Sequence, residues 1–144
     1  MHVYNPCSCQ IFKMNGGDKM RYFMGIDNGG TFSKAALFDE NGNQIAVASI
    51  FVPVITPKSG YTERDMETLW QANVQVIREV VIRSKVSADK IAGVSFSGHG
   101  KGLYMVDKAG KPVYNGILST DTRAWKFVKK WEKDGTCLLY TSPS

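Results

Sequence analysis

Between residues 22 and 52, three short and largely apolar runs are separated by turn-forming residues, the pattern of strands joined by tight turns. Tyr22 to Ile26 is bulky and mostly apolar, and Asn28-Gly29-Gly30 interrupts it with residues that tolerate positive φ. Thr31 to Phe38 resumes the strand pattern and ends at Asp39-Glu40-Asn41-Gly42. Gln44 to Val52 forms a third run after Asn41-Gly42-Asn43, so the three predict an antiparallel meander. Pro53 to Arg64 reads as a loop. From Asp65 to Ser84 the period changes: Met66, Leu69, Trp70, Val74, Ile77 and Val81 recur at helical spacing, which predicts one long helix with its Met and Trp in the core. Thr62 or Asp65 is placed to cap it, and Glu63, Asp65 and Glu67 suit the positive end of its dipole.

Ile91 to Phe96 is a short strand ending in small and polar residues. A helix and then a strand after a meander predicts an α/β fold with the new strand parallel to the first. A second Gly-rich turn follows, Ser97-Gly98-His99-Gly100-Lys101-Gly102. Leu103 to Asp107 and Pro112 to Tyr114 read as a hairpin around Ala109-Gly110, and Ile117 to Arg123 as a short strand ending in a polar cluster. Ala124 to Lys133 reads as a helix capped by Thr120 or Asp121.

The 144 residues suffice for one ordinary domain, and 43% hydrophobic with 22% charged residues is the composition of a globular chain. No run approaches the roughly 20 apolar residues of a membrane span. The first residues lack the apolar stretch of a secretory signal, so a cytoplasmic location is expected, with no membrane partner. The net charge of +5 is spread along the chain. Its densest patch, Lys126, Lys129, Lys130 and Lys133 interleaved with Trp125, Phe127 and Trp131, reads as a solvated helix face rather than a nucleic-acid surface. Cys7, Cys9 and Cys137 lack the second pair or His cluster that would complete a tetrahedral metal site. Residues 1–19 show no periodicity and read as a leader before a start at Met20, while residues 137–144 abandon the pattern of 20–136.

Three predicted strand ends carry chemistry. At the first, Asp27 is followed by Asn28, Gly29, Gly30, Thr31 and Lys34. Such a turn can cradle phosphate oxygens, while the acid holds a magnesium ion through water. A hairpin closed by small residues is also a common structural device, and on this stretch alone both readings stand. The second end carries Gly98 and His99, whose imidazole is either structural or a hydrogen-bonding partner for a hydroxyl. The third carries Asp121 and Arg123, with Asp121 either a helix cap or an acceptor for a polyol. In α/β sheets, ligands bind at such ends.

Four separated segments, MGIDNGGTFSKAALFDENG, GYTERDMETLW, GVSFSGHGKGLYMVDKAGKP and GILSTDTRA, together resemble the FGGY carbohydrate kinases over about residues 20–136. Within that family, the HGKGL and ILSTDTRA stretches look most like the L-xylulose kinase group. The resemblance implies an actin-like, ribonuclease-H-like α/β fold and ATP-dependent transfer of a γ-phosphoryl group to a hydroxyl of a ketopentose or related polyol, with Mg2+ as cofactor. It implies that Asp27 organises the metal, that Asn28, Gly29, Gly30, Thr31 and Lys34 meet phosphates, and that Gly98, His99, Asp121 and Arg123 line the sugar. It further implies a second kinase domain and a downstream general-base aspartate beyond the stretch present, so this fragment is expected to be inactive alone; the complete enzyme admits a homodimer. A non-catalytic sugar- or nucleotide-binding module of the same fold is the alternative.

Overall fold

The computed structural model describes residues 20–136, so Cys7, Cys9, Cys137 and the expected terminal segments lie outside the described residues. The described chain divides into two compact units.

The first unit holds the meander. β1 (Tyr22–Asn28), β2 (Phe32–Asp39) and β3 (Gln44–Phe51) pair antiparallel in sequence order, as three runs joined by tight turns predict. The turn after β2 is fixed by the Asp39 carboxylate, which accepts from the N–H groups of Asn41 and Asn43 and from the Asn43 side chain at 2.8–2.9 Å. Those bonds, the Asn43 side chain first, hold Asp39 below the usual carboxylate range. β4 (Glu63–Arg64) precedes α1 (Met66–Ser84), and a short 3-10 turn at Ala88–Lys90 then leads into β5 (Ile91–Gly98). β5 lies parallel to β1, giving the sheet order β3-β2-β1-β5.

Register sorts the sheet's side chains onto two faces. Met24, Ile26, Ala35, Leu37, Ala46 and Ala48 face α1 and form one buried cluster with Val76 and Val80. The alanines of β2 and β3 let the helix come close, and the buried Ser33 hydroxyl donates to Asn73 Oδ1 at 3.1 Å. Of the stripe expected from spacing, Ile77 and Val81 pack against the buried cluster, but the most buried residues of α1 are Ala72, Asn73, Val76 and Val80, and Trp70 is 62% exposed and is not a core residue. On the opposite face, Phe32 and Phe51 pair edge to face at 5.8 Å.

In the second unit, the stretch expected to be loop up to Arg64 contains β4, which pairs antiparallel with β6 (Gly116–Ile117). The expected hairpin around Ala109-Gly110 is reduced to a single bridge between Val106 and Pro112, with the Asp107 carboxylate capping the turn. α2 (Trp125–Asp134) starts at Ala124 without a side-chain cap, so neither Thr120 nor Asp121 serves that purpose. No residue of α2 is buried, and Trp125, Phe127 and Trp131 are exposed along with its lysines.

A polar cluster joins β4 to the segment after β6. Glu63 accepts from Tyr114 Oη at 2.9 Å, Asn115 Nδ2 at 3.0 Å and Arg123 Nη2 at 2.6 Å. Asp121 accepts from the Thr62 N–H at 2.7 Å and from Arg123, whose guanidinium lies over the Tyr61 ring at 3.9 Å. Arg123 above all, with the backbone N–H of Thr62, holds Asp121 well below its ordinary value of 3.8, and Asn115 and then Arg123 hold Glu63 below 4.5. The same carboxylates, Asp121 first, push the Arg123 guanidinium up.

Two stability predictions follow from the two interiors. Leu37→Ala, at a fully buried position, lowers the denaturant midpoint by an equivalent of about 3 kcal/mol; a loss below about 1 kcal/mol contradicts the packing described. For the polar cluster, lowered carboxylate pKa values mean that the unfolded chain binds protons first as pH falls. Its contribution is therefore complete above the ordinary values, weakens below them and disappears under the lowered ones. In a urea titration repeated from about pH 6 to about pH 2, Asp121→Asn lowers the midpoint at the upper end and flattens its fall at the lower end. An unchanged acid slope contradicts this account.

Candidate functional site

Strand β1 supplies the geometry. It pairs with β2 on one side and β5 on the other, so its carboxyl end brings two Gly-rich turns side by side. Asp27 stands directly opposite Lys34 across the antiparallel ladder and opposite Ser97 across the parallel one. The acid is half-buried and Lys34 is exposed.

The turn between β1 and β2 is closed by the Gly29 N–H, which donates to Phe32 O at 3.0 Å. Neither Gly29 nor Gly30 adopts positive φ, contrary to the expectation for this turn. Gly29 is needed for space instead. A Cβ there would sit 3.0 Å from Phe32 O, against the turn's own backbone, and 3.6 Å from the Asp27 carboxylate. A Cβ on Gly30 would meet nothing within 4 Å, and Thr31 is exposed beside it. The Thr31 carbonyl accepts from the Val52 N–H at 2.9 Å, tying the turn to the end of β3.

At the second strand end, Gly98 lies opposite Asn28, where a Cβ would stand 3.6 Å from that of Asn28. The next residue is fixed by one oxygen. The Asn28 carbonyl accepts the His99 N–H at 3.0 Å and lies 3.2 Å from His99 Nδ1. A carbonyl can only accept, so the proton of neutral His99 is on Nδ1 and its acceptor lone pair is on Nε2. The His99 side chain is thus held half-buried against the turn between β1 and β2. A shallow concavity of about 310 Å³ opens on the sheet face beside these ends, lined by Gly25, Asp27, Lys34, Ala36, Ser95 and Ser97 among others.

The structure therefore brings Asp27, Asn28, Gly29, Gly30, Thr31, Lys34, Gly98 and His99 to one end of one sheet. Asp121 and Arg123 belong to the second unit, within its polar cluster. Spacing did not reveal Tyr61, Glu63, Tyr114 and Asn115 as parts of that cluster. Nothing in the spacing of these residues separates a buried cluster from an ordinary polar surface loop.

Among the described residues no group of three or more His, Cys, Asp or Glu side chains could hold a metal ion. A single carboxylate is what a magnesium ion needs when waters and phosphate oxygens complete its shell, so Asp27 fits that group. No helix among the described residues is long and apolar enough to cross a membrane.

The model of the FGGY family of carbohydrate kinases, N-terminal domain, matches residues 22–138. A probable L-xylulose kinase of Pasteurella multocida is 47% identical over 116 residues, which cover 81% of this chain and 24% of that protein. An L-xylulose/3-keto-L-gulonate kinase of Escherichia coli is 42% identical over 115 residues, covering 80% and 23%. Among solved structures, ligand-bound xylulose kinase of Lactobacillus acidophilus matches with a TM-score of 0.74 at 29% identity, over 80% of this chain and 23% of that one. The chain thus spans about a quarter of the length of the curated relatives it matches. The likeness to solved sugar kinases bears out the expected actin-like α/β fold class. Two turns joined at the end of one strand, and a family model matched over nearly the whole described chain, lead to one conclusion: the chain belongs to the FGGY family of carbohydrate kinases and carries its N-terminal domain.

Proposed function

We propose that this chain is the N-terminal part of an ATP-dependent kinase that moves the γ-phosphoryl group to a hydroxyl of a ketopentose or related polyol. One observation carries the reading: the Asp27–Lys34 turn and the Gly98–His99 turn meet at the Asn28 carbonyl. A phosphate-type turn and a hydroxyl-type turn at one sheet end suit a reaction that joins a phosphoryl group to a hydroxyl. The names of the relatives, L-xylulose kinase and L-xylulose/3-keto-L-gulonate kinase, favour a ketopentose or a keto sugar acid.

In this reading Asp27 takes magnesium through water, and the metal when bound offsets charge on the phosphates. The Thr31 hydroxyl and Lys34 ammonium donate to phosphate oxygens, while Gly29 and Gly30 keep side chains out of their path. Gly98, His99, Asp121 and Arg123 serve the sugar. The His99 imidazole hydrogen-bonds a sugar hydroxyl. A second domain completes the cleft and supplies the general base. We place the intact enzyme in the cytoplasm, without nucleic-acid or membrane partners.

The test is ADP release by the intact enzyme against a panel of ketopentoses. Asp27→Ala lowers turnover by about a hundredfold or more with the fold retained; near wild-type turnover rejects the role. His99→Ala raises the sugar KM and leaves the ATP KM unchanged, whereas equal effects on both make His99 structural. Sugar binding without any ADP release would select the non-catalytic binding module instead.

A further inference from the structure

Asp121 has two carboxylate oxygens, and four donors already occupy them. Oδ1 accepts from the Arg123 backbone N–H at 2.9 Å and from Arg123 Nε at 2.8 Å. Oδ2 accepts from the Thr62 N–H and from Arg123 Nη2, both at 2.7 Å. A carboxylate has about four lone-pair sites, so this one is filled. Its side chain is also only 3% exposed. Glu63, 1% exposed, is committed in the same way to Tyr114, Asn115 and Arg123.

Arg123 is the reverse case. Its bonds to both carboxylates run through Nε and Nη2, and none of them uses Nη1. The side chain is 22% exposed, the Tyr61 ring covers one face of the guanidinium, and the Tyr114 hydroxyl is also within its reach, so the uncommitted N–H groups lie at a partly open edge. We propose that the ligand contact of this segment belongs to Arg123 through Nη1, and that Asp121 and Glu63 are positioning residues that hold the guanidinium. The proposal rests on the kinase reading above, in which this segment serves the sugar. A guanidinium only donates, so its partner is an acceptor: a hydroxyl or carbonyl oxygen of the sugar. A lysine cannot take its place, because a point charge cannot bridge two carboxylates and still present a fixed N–H pair.

The experiment uses the intact enzyme with ATP, a ketopentose substrate and its set of monodeoxy analogues. Arg123→Lys should raise the sugar KM by about tenfold or more, leave the ATP KM unchanged and erase the preference for one hydroxyl over its deoxy analogue. Asp121→Asn and Glu63→Gln should raise the sugar KM less and keep that preference, because the contacting group is still present. Should Glu63→Gln fail to fold, Tyr114→Phe removes the hydroxyl that donates to Glu63 and lies beside Arg123, with little change in volume, and should give a smaller rise in the same constant. Loss of the preference in Asp121→Asn but not in Arg123→Lys overturns the assignment, since Asp121 then meets the ligand itself. An effect of Arg123→Lys with none from Asp121→Asn, Glu63→Gln or Tyr114→Phe overturns the positioning role alone. Unchanged sugar KM in every variant overturns the proposal together with the sugar role of the segment, while Asp27→Ala reports on the kinase reading independently.

Discussion

One oxygen atom, the carbonyl of Asn28, couples the two halves of the sheet end. It accepts the His99 N–H as the last rung of the parallel ladder and lies within hydrogen-bond reach of the same residue's imidazole. Because Asn28 also begins the Gly29-Gly30 turn, displacement of that turn is felt by His99 without any intervening side chain. The pairing of β1 on both edges fixes this arrangement, and Gly29 leaves the turn room against Phe32 O.

The second unit depends on a different force. Burying two carboxylates beside one guanidinium is favourable only when every oxygen finds a donor, since an unpaired buried charge is expensive. Here backbone and side-chain donors from Thr62, Tyr114, Asn115 and Arg123 complete the set. With only two-residue strands and few buried apolar side chains in that unit, hydrogen-bond geometry does what a hydrophobic core does in the first.

The meander, the long helix and the parallel return of β5 were legible because apolar runs between turn residues and helical spacing report directly on burial. Of the face that α1 buries, Ile77 and Val81 were legible, but its centre at Asn73, Val76 and Val80 was not, because it meets the alanines of β2 and β3 and Ser33, all remote in sequence from the helix. Glycine's taste for positive φ was the wrong ground for Gly29, whose need is room against Phe32 O. The chemistry at Asp27, Lys34 and His99 was visible as residue types at strand ends, but the tautomer of His99 required the position of one carbonyl. Glu63 was legible only as an acid ahead of α1, because a buried acid in a polar stretch has no periodicity to mark its burial.

The exposure of Trp70, with that of Trp125 and Trp131, has a spectroscopic consequence. These are the three tryptophans of the chain, all between 46% and 62% exposed, and none belongs to the buried cluster beneath α1. Their emission is already close to that of indole in water, so it shifts little when the sheet comes apart. Tyr22, packed against that cluster, lies nearer the event, and far-ultraviolet dichroism of α1 follows it more faithfully than fluorescence colour.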